Sequence, residues 1–169
     1  MKACGPLHYT AMDSFIAIDF ETTAFEAVNF RGDMRNEPWQ LGAAIVENGR
    51  LAGTREWFFG TALTPDFEPI EAQWEEIHSF LAAHPLVAHN IATERTILTR
   101  LAPLTKWGPW TDTLRVAKKR YPKLASYKLG DLCELFGCVP EIEGRTWHDG
   151  LFDAVACASL ALKIAFIKW

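Results

Sequence analysis

The stretch Phe15-Ile-Ala-Ile-Asp-Phe-Glu-Thr-Thr23 sets the architecture of the whole chain. Phe15 to Phe20 is an apolar run broken only by Asp19, and it reads as a short buried strand. Side chains alternate faces along a strand, so Asp19 and Glu21 point one way while Phe20 points into the core. The rise per residue puts the two carboxylates roughly 6 to 7 Å apart along one face. Like charges this close are relieved by a cation, an arginine or a shared proton, and the spacing suits one divalent ion gripped between them.

Downstream, Trp39 to Val46 and Leu51 to Phe59 are β-rich runs joined by Glu47-Asn-Gly-Arg50. Asn-Gly between such runs is a strong hairpin signal, so strands one to three are antiparallel neighbours. Ile70, Trp74, Ile77, Phe80 and Leu81 recur at helical spacing and predict a helix over Glu71–Ala83. Leu86-Val-Ala88 is a short strand that stops at His89-Asn90, followed by a helix over Ala92–Leu101 that Pro103 terminates. Trp110-Thr-Asp112 is a last strand, and helices follow over Thr113–Arg120, Lys128–Phe136, with Gly137 as its C-terminal cap, and Asp149–Ala165. The order β-β-β-α-β-α-β-α-α-α implies an α/β chain with a mixed sheet and helices on both faces. Met1–Asp13 reads as a flexible lead-in, residues 14–169 as one domain, and Thr22–Pro38 as a long loop at the carboxylate end of the first strand.

The chain has 169 residues, 49% of them hydrophobic and 22% charged, with a net charge of −4, so no global positive charge draws it to nucleic acid or to an anionic membrane. A polyanion is held here by metal or by a local patch such as Lys118, Lys119, Arg120, Lys123 and Lys128. Cys4, Cys133, Cys138 and Cys157 lack paired metal-ligand spacing and read as free thiols of a reducing compartment. Without a long apolar run or a leader pattern, a cytoplasmic location and no membrane partner are expected.

Four places end an apolar element in acids or a polar cluster: Asp19 with Glu21, His89-Asn90 with Glu94, Asp112, and His148 with Asp153. Five residues separate His148 from Asp153, a rotation of about 140° on one helix. His148 therefore belongs on an approach loop, with Trp147 and Gly150 compatible with its movement, while Asp153 projects from the first turns of the last helix. With the motifs Ala17-Ile-Asp-Phe-Glu-Thr-Thr23, Val87-Ala-His-Asn-Ile-Ala-Thr-Glu-Arg95, Asp112-Thr113 and His148-Asp-Gly-Leu-Phe-Asp-Ala154 in order, the chain resembles the DEDDh-type (DnaQ-like) 3′-to-5′ exonucleases, the family of the proofreading epsilon subunit of bacterial DNA polymerase III.

The resemblance implies a ribonuclease H-like fold: a five-stranded mixed sheet, strands one to three antiparallel and two more parallel to strand one. It implies a metal-dependent enzyme that hydrolyses phosphodiester bonds at single-stranded or frayed DNA or RNA ends and releases nucleoside 5′-monophosphates. Asp19, Glu21, Glu94 and Asp153 would hold two divalent cations, Mg²⁺ or Mn²⁺, His148 would be the general base, and Thr22, Thr23, Phe25 and Asn90 would line the terminal nucleotide. Hard oxygen ligands suit these ions, and a two-ion site suits phosphodiester hydrolysis. The partners implied are a nucleic acid end and a DNA polymerase. This chain departs from the family pattern in Glu94, where Asp is usual, in Ala24, where Gly is common, and in a short connection between Phe59 and Trp74. Two other readings stay open: a catalytically silent nucleic-acid-binding or polymerase-associated module of the same fold, and a phosphodiesterase of short oligonucleotides. His89 and Asp112 are read as structural, an imidazole hydrogen bond and a helix cap.

Overall fold

The computed structural model describes residues 13–23, 37–62 and 64–165. Five strands, β1 (Phe15–Thr22), β2 (Pro38–Glu47), β3 (Arg50–Phe58), β4 (Leu86–Ala88) and β5 (Trp110–Asp112), form one sheet in the order β3-β2-β1-β4-β5. β1 pairs antiparallel with β2 and β2 with β3, whereas β4 runs parallel to both β1 and β5. The expected mixed sheet is therefore present, strand for strand. Asn48 and Gly49 close the β2–β3 hairpin with φ of 51° and 75°, the left-handed pair that Asn-Gly adopts most easily.

Helices α1 (Ile70–Ala82) and α2 (Ala92–Leu101) cover one face of the sheet; α3 (Thr113–Arg120), α4 (Leu129–Phe136) and α5 (Gly150–Ile164) lie on the other. Alternation along β1 assigns the faces. Ile16, Ile18 and Phe20 join Ile77 and Leu81 of α1 and Ile97 and Leu98 of α2 in one buried cluster. Phe15 and Ala17 join Ala44, Val46 and Val87 against Ala154, Val155, Cys157 and Ala158 of α5. Asp19 and Glu21 continue this second row, so the α5 face changes from apolar to acidic along β1. Asp112 caps α3, accepting the amides of Leu114 and Arg115 at 3.0 and 3.3 Å, and Gly137 closes α4 in the left-handed conformation, φ 60°.

The first turn of α5 lies against the sheet backbone. Asp19 stands opposite Gly42 in the β1–β2 register, and Gly150 sits over that pair. A Cβ on Gly42 would come within 2.1 Å of the Gly150 carbonyl oxygen; one on Gly150 would meet the Asp19 carbonyl and the Gly42 nitrogen at 3.2 Å. Gln40, on the same face of β2, accepts the Gly150 amide at 2.9 Å and donates to Glu56 of β3 at 2.7 Å. Arg145 completes the tie with two bonds to Glu56, 2.6 and 2.8 Å, and two to Asp149, 2.9 and 3.2 Å.

The β1–β2 register shifts between Glu21 and Thr22, just before the last pair, Thr22 with Pro38. Beyond it the Thr23 amide donates to the Glu37 carbonyl at 2.8 Å and the Glu37 amide to the Thr23 hydroxyl at 3.1 Å, pinning together the two ends of the Thr22–Pro38 connection. Phe25, Phe30, Arg31 and Arg35 lie outside the described residues, as does all of the expected lead-in before Asp13. No described helix is long and apolar enough to cross a membrane.

The obstacle at Gly42 is main chain, which has no rotamer to yield. Gly42→Ala is expected to cost about 3 kcal/mol, at the upper end of overpacking penalties. Chemical denaturation with circular dichroism checks this, and an unchanged midpoint would show that α5 does not sit so close.

Candidate active site

The site lies at the carboxyl ends of β1, β4 and β5, where three short excursions deliver polar groups. β1 contributes Asp19 and Glu21. The turn after β4 contributes Asn90, with φ 65°, and the first turn of α2 contributes Glu94. The turn before α5 contributes His148, also left-handed at φ 68°, and the first turn of α5 contributes Asp153. Neither Asn90 nor His148 is glycine, and non-glycine residues enter this region only where the surroundings hold them. Asn90 is held by its amide bond to Asp112, 3.1 Å, and His148 by its amide bond to the Asp153 carboxylate, 3.2 Å.

Carboxylate oxygens of Glu21 and Asp153 and a ring nitrogen of His148 all lie within 4.8 Å of one another. Asp19 and Glu94 are outside that trio and close enough for their charges to act on the others. Burial pushes the Asp19 carboxyl well above its usual range, and the charges of Glu94, Asp153 and Glu21 add to it. Burial likewise pushes Glu94 up to about 7, against the pull of the Phe20 and Glu94 amides. Burial raises Asp153 to about 6, opposed by the His148 amide, and it raises Glu21 against the nearby His148 ring. The contact between the Asp19 and Glu21 side chains adds to the upward shift of Asp19. Among the described residues no lysine or arginine forms an ion pair with any of the four acids.

Two carboxylate oxygens, Oε2 of Glu94 and Oδ1 of Asp153, are buried without a hydrogen-bond partner. Such atoms carry a desolvation cost that only a donor or a cation offsets. Hard oxygens with one imidazole are a donor set that fits Mg²⁺ or Mn²⁺. The floor of the cluster is neutral: Cys157, one turn after Asp153 on α5, is fully buried, and burial together with Asp19, Glu94 and Asp112 pushes its thiol up.

A cleft of about 800 Å³ opens beside the acids, bordered by His148, Asp153, Asn90, Tyr127, Lys118 and Lys128. His89 is structural, as expected. Its Nε2 donates to the Tyr127 carbonyl at 2.9 Å and its Nδ1 bonds the Thr113 hydroxyl at 2.8 Å, while burial lowers its pKa. Thr22 and Thr23 lie at the end of β1, but the Thr23 hydroxyl is taken by Glu37, and Phe25 is outside the described residues. Gly150 is buried as the first residue of α5, inside the helix expected over Asp149–Ala165, and Trp147 packs edge-on against Phe152, centroids 4.9 Å apart. Sequence reasoning missed the Gln40–Glu56–Arg145–Asp149 tie that holds this turn. The one local signal for it is Gln40, a polar side chain in an otherwise apolar strand.

No family model matches the chain. Two curated relatives are DNA polymerase III PolC-type from Halalkalibacterium halodurans, 30% identical over 96% of this chain, and from Mycoplasmopsis pulmonis, 30% identical over 83%. The chain spans only 12% and 11% of those proteins' lengths. Solved structures share the fold. The nuclease domain of 3′hExo, a DEDDh family member bound to rAMP, superposes with a TM-score of 0.68 at 17% identity, covering 90% of this chain and 92% of that one. Exonuclease X in complex with 5′ overhanging duplex DNA gives 0.65 at 19% identity, over 88% and 89%. E. coli Exonuclease I in complex with a dA16 oligonucleotide gives 0.65 at 18%, over 90% of this chain and 40% of that one. In the order of its acidic motifs and in its ribonuclease H-like fold, the chain resembles the DEDDh-type 3′-to-5′ exonucleases.

Proposed function

We propose that the chain is a metal-dependent 3′-to-5′ exonuclease that shortens single-stranded or frayed DNA or RNA ends and releases nucleoside 5′-monophosphates. The observation that carries this reading is the convergence of Glu21, Asp153 and His148 within 4.8 Å, beside two buried carboxylate oxygens that no donor among the described residues satisfies. Solved neighbours bound to rAMP, to dA16 and to an overhanging duplex support the substrate class. The curated relatives support a DNA polymerase as a partner.

Asp19, Glu21, Glu94 and Asp153 would hold two divalent cations. When bound, such ions supply charge relief on the phosphate, a lowered pKa for water and help for the departing oxygen. The remaining work belongs to side chains. His148 is exposed to the cleft, adjoins Glu21 and Asp153, and takes the proton from the attacking water. The Asp153 carboxylate accepts the His148 amide and so fixes the turn that presents the imidazole. Asn90, anchored through Asp112, borders the cleft and orients the terminal nucleotide, which Thr22, Thr23 and Phe25 would also line. The departing 3′-oxygen belongs to the nucleotide that becomes the new end.

His148→Ala is expected to lower the rate on a labelled oligonucleotide by roughly 10² to 10⁴-fold, the range for a lost general base, with rescue by added imidazole. Asp19→Asn is expected to lower it on the order of 10³-fold, because several kcal/mol of charge stabilisation depend on the ions it would hold. Both proteins keep their circular dichroism spectra. A fully active Asp19→Asn protein would refute the assignment. Nucleic-acid binding with no EDTA-sensitive shortening would replace it with the silent module.

The raised carboxyls also predict how stability depends on pH. Unfolded Asp and Glu titrate near 4, whereas Asp153 and Glu94 titrate near 6 and 7 in the folded protein, so between these limits the folded state binds more protons. Metal-free stability is then greatest at the acid end of that window and falls as pH rises through it. In EDTA the Tm should drop from about pH 5 to about pH 7.5, and Mg²⁺ or Mn²⁺ should raise it more at the higher value, where the acids are ionised to receive it. An equal gain at both would argue against cation binding by these groups.

A further inference from the structure

A cationic concavity lies beside the acid centre and takes no part in it. Two adjoining hollows of about 670 and 580 Å³ run between α2 and α3 and share Ile91, Asp112 and Arg115. Arg95 and Arg100 border them from α2; Arg115, Lys119 and Arg120 border them from α3. Asp112 is the one acid on their described lining, and its Oδ1 is already committed to the amides of Asn90, Leu114 and Arg115. None of the five cations is ion-paired with a described residue, and Nη1 of Arg120 is buried without a hydrogen-bond partner. On a chain of net charge −4, five cations around two adjoining hollows, with no ion-pair partner among the described residues, repel each other unless an anion joins them.

The basic run that sequence reading treats as a single patch is divided by helix geometry. Leu114 and Lys118, one turn apart, face the acid-centre cleft, whereas Arg115 and Lys119, also one turn apart, face the hollows. Asn90 borders both the cleft and the first hollow, so the two are continuous. Trp110, on the outermost strand, adds an aromatic wall to the second hollow.

We propose that this groove binds the phosphodiester backbone of the substrate polynucleotide, upstream of the 3′ end seated in the acid centre. The proposal rests on the exonuclease reading for where that end sits. Arg115 and Lys119 lie ~6 Å apart along α3 and offer successive cationic contacts to one strand, and an indole beside them gives a base a surface to stack on. An acidic peptide would use the cations alone and would have no reason to follow the groove to Asn90. The groove therefore makes a long strand a better ligand than a dinucleotide.

The test measures binding and chemistry separately on the full chain. Binding of a fluorescein-labelled single-stranded 20-mer is followed by anisotropy in EDTA across a salt series, for the native protein and for Arg95→Gln/Arg115→Gln/Lys119→Gln. The triple variant should flatten the slope of log K against log salt by about two to three and weaken 20-mer binding at least tenfold at low salt. Its hydrolysis of thymidine 5′-(4-nitrophenyl phosphate), too short to reach the groove, should be unchanged, as should its Tm. The single variant Lys119→Glu should weaken the 20-mer in the same direction. An unchanged slope and affinity in both variants would overturn the groove, as would a native protein whose 20-mer binding is no tighter than that of a dinucleotide. A polyglutamate peptide that binds groove-dependently while the 20-mer does not would also overturn it. If the native protein binds the 20-mer through the groove yet hydrolyses neither substrate with Mn²⁺, the groove stands and the exonuclease reading falls.

Discussion

Asp19, Gly42 and Gly150 meet at one point, and the site depends on that meeting. Asp19 and Gly42 are cross-strand partners, and the first turn of α5 lies directly over them because neither Gly42 nor Gly150 has a Cβ. Residues four apart on a helix share a face, so the seat of Gly150 also fixes Ala154 and Ala158, two of the small residues that let α5 lie low on the sheet. The same seat delivers Asp153 to the acids of β1. A larger residue at either glycine would lift the helix and open the acid cluster. The close approach is a packing fact with a catalytic consequence.

The electrostatics follow from this geometry. Bringing α5 down excludes water from four carboxylates, and exclusion rather than mutual repulsion is the leading cause of every raised pKa among them. Among the described residues no lysine or arginine relieves that cost by an ion pair. Arg145, the cation adjacent to the His148 turn, is occupied by Glu56 and Asp149 on the far side of Gln40. Its work is to hold the turn, and the negative field of the acids is left for a ligand from solution.

How far this was legible in the sequence depends on which interactions are local. The alternation of Phe15 to Glu21, the Asn48-Gly49 turn and the five-residue offset of His148 from Asp153 are short-range patterns, and each is realised in the fold. Every described strand and helix falls within two residues of its expected bounds. The Gln40–Glu56–Arg145 tie was not legible, because it joins positions up to 89 apart through side chains that separately look like solvated strand and loop residues. Nor was the division of the basic run, which becomes visible only when α3 is set between two hollows. Trp147 and Gly150 suggested mobility because aromatic and glycine residues in a polar loop fit many conformations, and a packed glycine is indistinguishable in sequence from a hinge.

Glu94 shows how one apparent departure becomes intelligible. β4 ends at Ala88 and pairs with β1 only at Ile16 and Ala17, so the main chain of β1 beyond that point has no strand partner on this side. A buried amide there must find an acceptor elsewhere. The Phe20 amide finds it in the Glu94 carboxylate. Glu94 therefore satisfies strand β1 while keeping Oε2 free in the acid cluster. A carboxylate that must do both from the first turn of α2 needs reach, and the additional methylene of glutamate supplies it. The short strand β4 and the long acid at position 94 are then one feature: the helix side chain takes over a hydrogen bond that a longer strand would have made.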